Sequence, residues 1–235
     1  MGLAFAGSCL WNADDNAKRI YCLNPANGSV IKQCDSPDFY PRGIAWDGQY
    51  IWVAGYQSKR IHKVDPATCQ VIHWIPTPGS YPQGLAWDGS YFWHVDDNTD
   101  TLYRIDPQTG NVVYSRPIGS ITGQPRDLDF VQGEMYMVDN AAKRIVRFNP
   151  YSGQLTAPPI VGLPGTSPDG VAWDGQNLFL SDNSTDRIYL LSLAPTLAAQ
   201  VSVNKTDLGV GDTVIGKVKR INDSTPDLVR YMVWL

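Results

Sequence analysis

Glutamate is all but missing from this sequence: of its 23 acidic residues, only Glu134 is one. Glutamate favours helices and aspartate favours turns and caps, so the shortage argues against a helical architecture and assigns much of the acid to turns. Histidine is scarce too, with three in 235 residues, at His62, His73 and His94. No apolar stretch approaches the roughly 20 residues that a spanning helix needs, so no membrane span is expected. Charged residues make up 18% of the chain and the net charge is −4. That balance excludes the broad, clustered basic surface of a nucleic-acid binder. The four cysteines, Cys9, Cys22, Cys34 and Cys69, match no metal spacing and no redox pair. A disulfide among them cannot be assigned from spacing. Free buried thiols are the expectation, because cysteine behaves as a small hydrophobe in cores.

What is present is a repeat. Gly2-Leu3-Ala4-Phe5, Gly43-Ile44-Ala45-Trp46, Gly84-Leu85-Ala86-Trp87, Asp127-Leu128-Asp129-Phe130 and Gly170-Val171-Ala172-Trp173 align at steps of 41, 41, 43 and 43 residues. Three copies add Asp-Gly, at Asp47-Gly48, Asp88-Gly89 and Asp174-Gly175, a strong hairpin signal. An aromatic column follows at Trp11, Trp52, Trp93, Tyr136 and Phe179, and a third segment carries Arg19-Ile20, Arg60-Ile61, Thr101-Leu102, Arg144-Ile145 and Arg187-Ile188. Asn24-Pro25, Asp65-Pro66, Asp106-Pro107 and Asn149-Pro150 mark a further turn, where proline supplies the fixed φ. Four short alternating segments per copy predict an all-β fold, a β-propeller of about five four-stranded blades. Both faces of a blade pack on neighbours, so the aromatic column reads as core.

The copies predict a propeller over residues 1–197. Residues 198–235 leave the repeat and read as a C-terminal β segment, either a truncated immunoglobulin-like module or the strand that completes the last blade.

The units "GIAWDGQYIWVAGYQSKRIHKVDPATCQVI" and "GLAWDGSYFWHVDDNTDTLYRIDPQTGNVV" resemble blades of the NHL-type propeller superfamily, which includes streptogramin B lyases, gluconolactonase-like hydrolases and five-bladed glutaminyl cyclotransferases. The resemblance covers residues 2 to about 193 and implies the fold. It implies activity weakly, because function on such scaffolds lives in grafted sites.

In a propeller the loop leading into the innermost strand and the loop after the second strand share one face. The residue after each lead-in proline gives a ring of unlike polar groups, Arg42, Gln83, Arg126 and Asp169. Tyr40 and Tyr81 flank the same loops and suit stacking on a sugar or a partner side chain. The second strands end at Asp14, Gly55, Asp96, Asp139 and Asp182, which read mainly as turn caps, with Arg19, Arg144 and Arg187 as partners. Asp96, with the extra acid Asp97, is kept in the candidate binding set.

No catalytic set assembles. The lyases and lactonases of the superfamily imply His, Glu, Asn and Asp aimed into the channel, and the cyclotransferases imply glutamates that this chain lacks. The three histidines fall on non-converging strands, so no His-ligated metal site is expected. Channel aspartates leave room for Ca²⁺, which needs only oxygen donors, but no spacing requires it, and no cofactor is expected. The leading reading is a non-enzymatic binding or scaffold propeller outside the cytoplasm, extracellular or periplasmic, with a protein or carbohydrate partner at the channel mouth. Two alternatives stand beside it: a divergent metal-dependent lyase or hydrolase, and a structural module of a longer surface protein.

Overall fold

A computed structural model describes residues 2–192; the expectations for 198–235 lie outside them. Nineteen strands form five antiparallel sheets in chain order, and no helix occurs among the described residues. The first blade is β1 (Leu3–Ala6), β2 (Cys9–Asp14), β3 (Arg19–Leu23) and β4 (Val30–Asp35). The second is β5 (Pro41–Trp46), β6 (Ile51–Gly55), β7 (Arg60–Val64) and β8 (Val71–Pro76). The third is β9 (Pro82–Trp87), β10 (Phe92–Asp96), β11 (Thr101–Ile105) and β12 (Val112–Pro117). The fourth is β13 (Pro125–Val131), β14 (Glu134–Asp139), β15 (Arg144–Phe148) and β16 (Leu155–Ile160). The fifth is described as β17 (Pro168–Trp173), β18 (Asn177–Asp182) and β19 (Arg187–Ser192).

Each blade buries both faces against its neighbours, and the core is divided accordingly. Separate apolar clusters fill the interfaces between successive blades. Leu3 and Leu10 of the first blade meet Ala172 and Phe179 of the fifth, which closes the ring. Trp11, Trp52, Trp93, Tyr136 and Phe179 are all buried. The Asp-Gly turns anchor two of them: Asp47 accepts from Trp52 Nε1 at 2.7 Å and Asp88 from Trp93 Nε1 at 3.0 Å. Arg104 closes the second site with a 2.7 Å ion pair to Asp88.

The glycines near the start of the inner strands answer to the axis. A Cβ on Gly43 would lie 2.4 Å from the backbone nitrogen of Leu85, and one on Gly84 would lie 2.7 Å from the Cα of Asp127. Inner strands therefore approach backbone to backbone, leaving no space for a side chain at these points.

The cysteines correct the expectation of free thiols. Cys9 pairs with Cys22, bridging β2 and β3 across a Cα separation of 5.5 Å. Cys34 of β4 pairs with Cys69, in the turn between β7 and β8 of the next blade, at 5.4 Å. Spacing within one repeat hides this second link, because it joins different columns of different copies.

Candidate functional site

The register fixes which loops meet. Pro41 lies opposite Gly55, Pro82 opposite Asp96, Pro125 opposite Asp139 and Pro168 opposite Asp182. Just beyond these pairs, Tyr56 N–H donates to the Tyr40 carbonyl at 3.0 Å and Asp97 N–H to the Tyr81 carbonyl at 3.1 Å. Lead-in loops and second-strand ends thus share one face around the channel.

Arg42, Gln83, Arg126 and Asp169 converge there and line a narrow void of about 10 Å³ with Gly2, Gly43 and Asp127. Above it the mouth opens to about 400 Å³, walled by Tyr40, Tyr56, Tyr81, Arg42, Gln83, Asp97 and Arg126. Seven of the eight residues nominated from sequence reach one or the other space. Arg42 is held by Asp15 at 3.1 Å. Arg126 is half-buried, and burial lowers its pKa, opposed by Asp97 and reinforced by Arg42. Burial raises the Asp97 pKa, which Arg126 partly offsets.

Asp96 lies elsewhere. It is fully buried, accepts from Tyr81 N–H at 2.5 Å through one oxygen, and from the N–H groups of Asn98 and Thr99 through the other. Its carboxylate holds the two loops together and does not line the mouth. Asp182 and Asp139 do similar work, Asp139 adding a 3.0 Å ion pair to Arg144. Arg19 departs from that pattern and lies 3.7 Å from Asp35. In the second blade Gly55 replaces the aspartate, and the carboxylate comes from the other side of the loop pair. Asp38 accepts from the N–H groups of Tyr40, Gln57 and Ser58, and a Cβ on Gly55 would lie 2.4 Å from its oxygen. The third blade mirrors this arrangement, with Gly79 against Asp96.

Three residues were missed in the sequence. Tyr56 belongs to the column of Asp15 and Asp97, one residue past each second strand, and that position was its signal. Asp127 and Asp129 stand where other copies have glycine and alanine, so the break in the repeat marked them. Asp127 Oδ2 accepts from the N–H groups of Leu3 and Val171 at 3.0 and 3.1 Å, tying the fourth blade to the first and fifth. Its Oδ1 is buried without a partner, and burial pushes its pKa up to about 7. Asp129 accepts from Trp173 N–H at 2.7 Å. It lies deep in the channel wall and its pKa is also raised to about 7 by burial, yet its side chain reaches a cavity of about 150 Å³ at the opposite mouth.

The histidines do not converge. His94 is fully buried and bonds the Gly84 carbonyl, His73 is exposed on β8, and His62 is buried beside Ser58. Ser58 Oγ lies 2.9 Å from His62 Nε2, but Asp38 holds the backbone and hydroxyl of Ser58 and is not hydrogen-bonded to the imidazole. The orienting carboxylate of a triad is therefore missing from this pair. Among the described residues no three His, Cys, Asp or Glu side chains cluster as a metal site.

Comparisons with known proteins agree on the architecture. A family described as "Repeat of unknown function (DUF6923)" matches residues 36–120, which span the second and third blades. A search of curated proteins gives no match. Among solved structures, Myxococcus xanthus glutaminyl cyclase superposes with a TM-score of 0.70 at 14% identity, over 81% of this chain and 88% of that one. A structure of a nidogen/laminin complex gives 0.58 at 22%, over 82% and 75%. A streptogramin B lyase gives 0.52 at 17%, over 78% and 62%. The shared fold is a β-propeller. At these identities the likeness is one of fold, and it spans both enzymes and a propeller seen in a protein complex.

Proposed function

We propose that this propeller is a binding module that receives a protein or glycan partner at its tyrosine-lined channel mouth, outside the cytoplasm. One observation carries the reading: a 400 Å³ cavity into which Arg126 and Asp97 both project, neither side chain hydrogen-bonded among the described residues. Both groups are partly buried and face the open mouth, where a ligand can pair with them, and a cavity of this size with a few convergent polar groups is the usual form of a binding site. The aromatic wall and the arginines are the residue types that dominate interfaces. Two disulfides support an oxidising compartment, and the nidogen/laminin neighbour is a precedent for a protein partner on this fold.

The test is a panel of glycans and extracellular proteins probed with the parent, an Arg42→Ala/Arg126→Ala variant and a Glu134→Ala variant. Glu134 pairs with Arg147 at 2.8 Å on the far face and serves as the control. Loss of binding in the arginine variant with retention in the control is expected. The reverse pattern contradicts the reading.

A further inference from the structure

Cations crowd the aromatic rim of the mouth, although the chain's net charge is negative and Asp15 and Asp97 stand beside the arginines. Lys18 Nζ lies 4.1 Å from the ring centroid of Phe39 and 4.4 Å from that of Tyr40. Lys59 Nζ lies 3.9 Å from the centroid of Tyr56 and 5.6 Å from that of Tyr81, and the Arg42 guanidinium is 5.5 Å from Tyr56. The two lysines donate to the backbone carbonyls of Asp15 and Ser80, so no carboxylate neutralises them there. With the protein's own cations beside the aromatic rings, a cationic guest is disfavoured by charge. An anionic guest is favoured, and Arg126 offers it a guanidinium with no hydrogen bond among the described residues.

Resting on the binding reading above, we propose that the mouth takes the terminal residue of an acidic saccharide, one that carries a carboxylate. The shape sets the terminal position. The cavity narrows from about 400 Å³ to about 10 Å³ between the arginines and the close-packed inner strands. That lower space is about one water in size, so the pocket is blind and no chain threads through it. The chemistry sets the class. A planar carboxylate matches the fork of a guanidinium, the Asp97 carboxylate accepts from ring hydroxyls, the Gln83 amide both donates and accepts, and Tyr40 and Tyr81 present exposed rings to the C–H face of a sugar. A peptide strand would need an accessible unpaired strand edge. The inner strands turn theirs to a channel whose neck holds only about 10 Å³, where they approach backbone to backbone, and the outer edges face away from the channel.

The experiment titrates the full chain with 3′-sialyllactose and a glucuronate-terminated disaccharide, against lactose and cellobiose as neutral counterparts, and with a penta-aspartate peptide. At least one acidic saccharide is expected to bind about tenfold tighter than its neutral counterpart. Arg126→Gln should weaken that binding by about tenfold or more at an unchanged melting temperature, and added salt should weaken it as well. Glu134→Ala should leave it intact. Three results overturn the inference: equal binding of neutral and acidic sugars, no saccharide binding up to about 10 mM, or binding of the peptide alone. In each of these the binding-face reading still stands if a panel partner is lost in the Arg42/Arg126 variant, and it falls separately if Glu134→Ala is the variant that loses the partner.

Discussion

At the end of the third blade's second strand, Asp96 is sealed under a loop and spends both oxygens on backbone N–H groups. One residue further on, Asp97 faces the open mouth, and among the described residues its carboxylate has no hydrogen bond. The two layers differ in the same way around the ring. The loop layer repeats its carboxylate in every blade, and where β6 ends in Gly55 the preceding loop supplies Asp38 to the same cluster of N–H groups. The mouth layer does not repeat: Asp15, Tyr56 and Asp97 share one column, and Arg42, Gln83 and Arg126 another. A position bound by the geometry of every blade keeps one chemistry, whereas a position facing the channel is free to differ. Departure from the repeat is what sets the proposed binding face apart from the scaffold.

The largest expected effect lies below both layers. Trp52→Ala removes a buried ring and its bond to Asp47 and should cost about 3–5 kcal/mol, read as a lower denaturant midpoint. An unchanged midpoint would show that the aromatic column is not core.

Next comes the loop layer. Asp38→Gly leaves three backbone N–H groups without their acceptor and should cost about 2–3 kcal/mol. Adding Gly55→Asp rebuilds the arrangement of the third blade, so the double variant should recover more than half of that loss. Two simply additive losses would break the equivalence of the two strands.

Asp127 sharpens the contrast through pH. Its folded pKa, raised to about 7, exceeds the unfolded value near 3.8, so the folded state holds the extra proton between those values. Its contribution is therefore greatest below about pH 4, falls as pH rises to about 7, and is level above. Asp129, also raised to about 7, acts in the same direction, and His94, lowered to about 4 by burial, acts in the opposite direction between about pH 4 and 6.5, so a single pH curve would mix the three. The difference between Asp127→Asn and the parent isolates the carboxylate. The variant should gain relative stability steadily from pH 4 to 7, reaching on the order of a few kcal/mol. A flat difference would show that the carboxyl is not desolvated at the axis.

The smallest effect on stability belongs to the mouth. Arg42→Ala with Arg126→Ala should move unfolding by about 0.5 kcal/mol or less per site, since neither guanidinium supports a loop in the way that Arg144 supports Asp139.

Much of this was readable before any coordinates. The glycine, aromatic and proline columns located the blades because each answers to a constraint that recurs in every copy. Arg42, Gln83, Arg126 and Asp169 were nominated because they break such a column. The same logic, applied to the inner strand, would have found Asp127 and Asp129. Asp96 was legible as a cap, and its place in the binding set came from its neighbour Asp97. The disulfides were not legible, because pairing Cys34 with Cys69 requires the distance between two blades, and spacing along one chain does not carry it. The exchange of Asp38 for Gly55 was hidden for a similar reason: its two halves lie on opposite sides of a loop contact and belong to different columns.

The most direct test of the mouth as the working surface is a hydrogen-exchange footprint with the tightest-binding member of the panel bound. Backbone amides around Tyr40–Arg42, Tyr56, Tyr81–Gln83 and Asp97 should slow on binding, while those around Val131–Glu134 on the far face should not change. Protection at Val131–Glu134 with none at the tyrosines would contradict the account.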